Sequence, residues 1–245
     1  MVIIPSVFKS FDLLAAQSTR QGGFSRAPFD SLNLSLSVGD EEPVVQRNRE
    51  TLCQYLGISV SQLALSRQVH GNQVLQTSEP LQTEGYDAII TATPGVYACV
   101  SVADCTPVLV YDPVQGVSAA IHAGWKGTVA YIVRKTLEAM QQGYGSNPAD
   151  CVAWIGACIS KESFEVGDDV AAYFEDAEKR YEPGIRKYFV DLKEANRRQL
   201  LEAGLKAENI GVSPYCTVKD NDRFFSYRAG KGQTGRMWAI IGRPA

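Results

Sequence analysis

The chain has 245 residues, with 24 basic against 27 acidic side chains, a net charge of −3 and no basic block. That balance excludes a large electrostatic footprint for nucleic acid, and no apolar run reaches the length of a membrane span. Hydrophobic residues at 45% and charged residues at 21% are ordinary for a globular protein with a substantial core.

Met1-Val2-Ile3-Ile4-Pro5 lacks the basic and long apolar regions of a secretory signal, so a soluble cytoplasmic protein is expected. Turn residues Gly22-Gly23 and Pro28 leave 15–32 without a clear element. Pro43 in a first turn, with Val44, Val45, Leu52 and Leu56 at helical spacing, predicts a helix over 43–56. A short alternating stretch predicts a strand over 73–77. Runs rich in Val, Ile, Ala and Tyr predict further strands at Tyr86–Ala92, Gly95–Val102, Val108–Tyr111 and Val117–Ile121.

Beyond these, an amphipathic helix is expected from Thr128, as N-cap, to Gln142. A buried strand over Asp150–Gly156, a helix over 167–179, a strand over 187–191 and a helix over 193–203 ended by Gly204 follow. Strands near 210–215 and 237–242 close the chain. Clustered strands with interspersed helices, without a regular βαβ rhythm, read as α+β, in one domain spanning 1–245.

The chain spends only two histidines, His70 and His122, and each lies in a compact motif: Gln68-Val69-His70-Gly71 and Ile121-His122-Ala123-Gly124-Trp125. Six cysteines without a CxxC pair read mostly as buried thiols, but Cys105 stands apart in Ala103-Asp104-Cys105-Thr106. Two imidazoles and a thiolate form a three-ligand set for Zn²⁺ with a fourth position free. A loop of Asp112–Gln115 would pair Tyr111 with Gly116 and set Cys105 opposite His122, about 4.5–5.5 Å apart at Cβ. A loop one residue longer would put His122 on the other face. A Cys105–His122 nucleophilic pair is the alternative chemistry.

The chain resembles the laccase-domain family (multicopper polyphenol oxidase-like, YfiH-type), whose members are also named purine nucleoside phosphorylases. The resemblance is carried by Thr19-Arg20-Gln21-Gly22-Gly23-Phe24-Ser25, Ser31-Leu32-Asn33-Leu34, Val38-Gly39-Asp40, Asn48-Arg49 and Gln68-Val69-His70-Gly71. It continues through Asp87-Ala88, Ala103-Asp104-Cys105, His122 to Thr128, Phe164-Glu165-Val166-Gly167 and Asp191-Leu192. Cys216-Thr217, Phe224 to Arg228 and Thr234-Gly235-Arg236 complete it. The family often has His where this chain has Ser37, and a Cys-Cys pair where it has Glu162-Ser163.

The resemblance implies zinc held by His70, Cys105 and His122, within one α+β domain of mixed sheets packed by helices. It implies phosphorolysis of adenosine, inosine and methylthioadenosine, with adenosine deamination besides. Two imidazoles cannot hold a multicopper centre, and none of the three methionines adjoins a ligand motif, although a His₂Cys site also has affinity for copper.

Phosphate is expected to meet Arg20, Arg228 or Lys126, and Asp104 to orient a histidine or a water. Three other readings carry different substrates or none. They are a Cys–His hydrolase acting on amides, a peptidoglycan-editing enzyme named within the same family, and a binding module with structural zinc. The expected partners are a nucleoside and phosphate, with the oligomeric state left open.

Overall fold

A computed structural model describes residues 1–245. The first half runs β1 (Val2–Ile3), β2 (Leu14–Ser18), α1 (Glu42–Tyr55), β3 (Leu63–Arg67), β4 (Val74–Gln76), β5 (Leu81–Glu84) and β6 (Ala88–Thr91). The centre adds β7 (Tyr97–Val102), β8 (Thr106–Asp112), β9 (Val117–Ala123), α2 (Trp125–Val129), α3 (Ile132–Tyr144) and β10 (Val152–Ile155). The remainder is β11 (Glu165–Val166), α4 (Asp168–Ala171), β12 (Lys179–Glu182), β13 (Lys187–Val190), α5 (Leu192–Glu202), β14 (Ile210–Val212) and β15 (Met237–Gly242).

Two mixed six-stranded sheets result, ordered β1-β2-β15-β7-β3-β5 and β14-β10-β8-β9-β6-β4, with a small sheet β11-β13-β12 beside them. This is the expected α+β class. The large sheets pack face to face, because alternate residues of each strand enter a shared core. Ala98, Val100, Ala239 and Ile241 from the first sheet meet Ile89, Leu109, Ala120 and Trp154 from the second. The opposite parity serves the outer layers. Val108, Val110, Ala119 and Ile121 pack under Ile132, Val133, Leu137 and Met140 of α3, while Leu63, Tyr97 and Trp238 pack under Leu52 and Cys53 of α1. The order of layers is therefore helix, sheet, sheet, helix.

Several expectations are corrected. The β8–β9 hairpin closes on Asp112 and Val117, two residues out from the expected register, so His122 pairs with Pro107. The reason is Asp112: its carboxylate accepts the N–H groups of Val114 and Gln115, and the turn therefore begins after it rather than on it. A shift of two keeps the face, so Cys105 still lies on the same side as His122, just beyond the ladder.

The helix expected from Thr128 is two helices. Tyr131 takes a left-handed conformation (φ 60) between α2 and α3, and Thr128 lies inside α2. The helix expected over 167–179 stops at Ala171, where Lys179 Nζ donates to the carbonyls of Ala171 and Phe174, and 179–182 is strand instead. The strand near 210–215 ends at Val212.

Candidate metal centre

His70 lies on the crossing from β3 in one large sheet to β4 in the other, in a left-handed conformation (φ 59) that a non-glycine residue adopts only under constraint. The constraint is Asp87, fully buried at the start of β6. Its carboxylate accepts the backbone N–H groups of Val69 (3.2 Å), His70 (3.0 Å) and Gly71 (2.8 Å). Gln68 clamps the same loop to the peptide of Ser101, donating to its carbonyl (2.8 Å) and accepting its N–H (2.7 Å).

His122 sits on β9 with its ring 3% exposed, and its Nδ1 is 2.7 Å from Oδ1 of the same Asp87. One carboxylate thus fixes both the backbone of the first histidine and the ring of the second. It assigns His122 the tautomer that donates from Nδ1 and leaves Nε2 free to ligate. Burial alone would raise the carboxyl pKa of Asp87, but His122 and the loop N–H groups hold it below the ordinary value.

Cys105 follows a turn whose shape is set by Asp104 (φ 80). The Asp104 carbonyl accepts the N–H of Ile159, and its carboxylate accepts the Thr217 hydroxyl (2.6 Å) and the Arg228 N–H (2.7 Å). Asp104 therefore shapes the cysteine turn and bonds neither histidine.

The ligand atoms of His70, Cys105 and His122 lie within 4.8 Å of one another, and the two imidazoles meet edge to face with centroids 4.9 Å apart. A tetrahedral zinc with bonds of about 2.0–2.3 Å needs donors roughly 3.3–3.8 Å apart, so small side-chain rotations close the set. Gly124 leaves room for it: a Cβ there would lie 3.0 Å from Cys105 Sγ and 3.3 Å from His70 Cδ2. The donor types, their convergence and the space kept beside them fit a His₂Cys metal ion.

Without metal the same groups polarise each other. Burial raises the Cys105 thiol, but His122 and His70 beside it bring the thiol down to about 6. Burial lowers His122, but Cys105 and Asp87 raise it to about 9.

The triad opens onto a cavity of about 840 Å³, lined among others by Trp125, Lys126, Phe164, Tyr227, Arg228 and Arg236. Lys126 and Arg228 both line this cavity, and two Arg228 amines donate to the carbonyls of Ser163 and Glu165. Arg20 is not part of the lining. Its guanidinium pairs with Asp30 and donates to the Asp30 and Asn221 carbonyls, holding the 20–31 loop to the 221 turn.

Asp87, Arg49 and Arg236 go unassigned in the sequence reading. The one signal for Arg49 was legible: it shares the buried face of α1 with Val45 and Leu52, an odd place for a charge.

An α+β sandwich with a His₂Cys set on the floor of an aromatic and cationic cavity defines a protein built to hold a small molecule beside a metal-ligating site. The chain belongs to the multi-copper polyphenol oxidoreductase laccase family, whose model matches residues 14–244. It is 44% identical to a purine nucleoside phosphorylase of Deinococcus radiodurans, over 94% of this chain and 88% of the relative. It is 40% identical to one of Bacteroides thetaiotaomicron, over 91% and 89%. The crystal structure of YlmD from Geobacillus stearothermophilus superposes with a TM-score of 0.92 at 33% identity, covering 98% of this chain and 94% of that one.

Proposed function

We propose that this chain is a zinc-dependent purine nucleoside phosphorylase that acts in the cytoplasm on adenosine, inosine and methylthioadenosine, with adenosine deamination as a second activity. The observation that carries the reading is the His70–Cys105–His122 set opening onto a cavity that offers both aromatic faces and cations. The curated relatives' names point to the same reaction.

The residues divide the work by chemistry. Trp125, Phe164 and Tyr227 offer apolar faces for a purine, and Lys126 and Arg228 offer positive charge for an oxyanion. Asp87 keeps His70 and His122 in place through every cycle. In phosphorolysis a phosphate oxygen bonds to ribose C1′ while the C1′–N9 bond breaks, its electron pair leaving with the purine, which takes up a proton. In deamination water replaces the amine at purine C6 and ammonia leaves. A zinc ion bound at the triad supplies Lewis acidity for either reaction. One His₂Cys cluster does not provide the ligands of a multicopper oxidase, so the reading parts from the oxidoreductase in the family's name.

Metal analysis of the purified protein, beside turnover of adenosine with phosphate in wild type and Cys105→Ser, tests this reading. The expected result is bound zinc, ribose 1-phosphate as product, and a loss of metal and of rate in the variant of roughly 100-fold or more. Inosine formed without phosphate reports the deamination. Turnover by metal-free protein overturns the zinc mechanism. Turnover of cell-wall precursors but of no nucleoside overturns the substrate class.

A further inference from the structure

Arg49 is a charge in the wrong place for a structural arginine. It is 7% exposed on the inner face of α1, and no carboxylate lies within ion-pair distance of it. Its Nε donates to the carbonyl of Leu34 (2.8 Å) and its guanidinium lies over the Trp238 ring at 5.0 Å, while its two terminal amines have no protein acceptor. They are not sealed in, since Arg49 lines the same cavity as the metal-ligating triad. Burying a guanidinium without a counter-charge is unfavourable, and an arriving anion offsets that cost.

Arg236 is its neighbour through one residue, Leu34. The Leu34 carbonyl accepts from Arg49, and the Leu34 N–H donates to the Arg236 carbonyl (3.1 Å). One Arg236 amine donates to the carbonyls of Thr234 and Gly235, which leaves Nε and the other amine unengaged, and no carboxylate pairs with it. Arg236 also lines the cavity, as Cys105 does. Ser35 and Ser37, whose hydroxyls are 3.0 Å apart, line the same end.

We propose that Arg49 and Arg236 form an oxyanion subsite at this end of the cavity that takes the inorganic phosphate co-substrate, with the Ser35 and Ser37 hydroxyls completing it. The proposal rests on the phosphorylase reading and assigns phosphate to residues other than Arg20, Lys126 and Arg228. Its chemistry is the planar fork: free N–H pairs of two guanidinium groups match the oxygens of a tetrahedral dianion, and the burial of Arg49 strengthens the charge-assisted bonds it makes. The Asn48-Arg49 and Thr234-Gly235-Arg236 strings thereby gain a role beyond packing.

The test is isothermal titration of inorganic phosphate into the metal-loaded protein, beside steady-state kinetics, for wild type, Arg49→Lys, Arg236→Gln and the exposed control Arg134→Gln. Arg49→Lys keeps the buried charge while removing the fork, and Arg236→Gln alters a residue outside the helix, so one failure to fold still leaves the other variant. The expected result is that both variants weaken phosphate binding and raise the phosphate KM by about 10- to 100-fold, with the adenosine KM little changed and the control like wild type.

Wild-type phosphate affinity in both variants overturns the subsite and leaves the phosphorylase reading standing. Wild-type protein that binds no phosphate overturns the subsite, and ribose 1-phosphate formation in the same sample then says whether the phosphorylase reading falls with it. Binding of adenosine 5′-monophosphate but not of inorganic phosphate also overturns the proposal, because the subsite would then serve a tethered phosphate.

Discussion

Asp87 carries more of the site than any ligand does, because three loop N–H groups and the His122 ring all converge on it. Asp87→Asn keeps the size but turns one acceptor into a donor and removes the charge facing the imidazole. Competition with a chelator should show metal affinity falling by about 10- to 100-fold, and denaturant unfolding should show a loss of about 3 kcal/mol. The Cys105–His122 pair sets a pH window in the metal-free protein. The thiol, held at about 6 below its ordinary 9, contributes stability that is present at high pH and lost as pH falls through 6. The imidazole, raised from 6.5 to about 9, contributes stability that is present at low pH and lost as pH rises through 9. Between 6.5 and 9 the thiol's gain and the imidazole's loss nearly cancel, so the melting temperature of the metal-free protein should vary little with pH across that window. The His70–Cys105–His122 cluster was legible because histidine is scarce in this chain. Asp87 was not, since a lone aspartate ahead of an apolar strand resembles any strand-edge acid until the loop that folds onto it is known.

Among the elements, the turn from β9 into α2 is the one that sets the distances between ligands. Gly124 has an ordinary extended backbone (φ −68, ψ 168), so alanine fits its conformation and only the added Cβ matters. Gly124→Ala should weaken metal binding by about tenfold or more by pressing on Cys105 and His70, while the metal-free protein keeps its stability to within about 1 kcal/mol. Metal titration and denaturant unfolding on the same variant separate the two effects. Long periodic stretches were readable in advance, as α1, α5, β7 and β15 show. The two edge pieces β1 and β5 were not, because a two-residue strand and the polar Leu81–Glu84 carry almost no pattern. The β8–β9 hairpin was read two residues out of register and still put Cys105 and His122 on one face. The interval of two is the repeat of a strand, and that error leaves every side chain on its proper side.

Across the whole molecule, the core does not depend on the metal. Separate apolar clusters lie between the sheets and under each helical layer, and none is built from His70, Cys105 or His122. Chelation should therefore leave the far-ultraviolet circular dichroism unchanged while lowering the melting temperature by about 5–10 °C, the linkage expected for a ligand bound well above its Kd. Loss of the secondary structure on chelation would mean instead that the ion holds the fold. The layering was legible only as a class, because which sheet each strand joins depends on pairings far apart in the chain, such as β15 between β2 and β7. The crossing that bears His70 has a consequence of its own. It leaves one sheet and enters the other, while Cys105 immediately precedes β8 and His122 lies within β9, both strands of the second sheet. The three donors are thus a gauge spanning a seam: sliding of one sheet over the other would open or close the triangle. A cobalt ion placed there would turn the alignment of the two sheets into a colour.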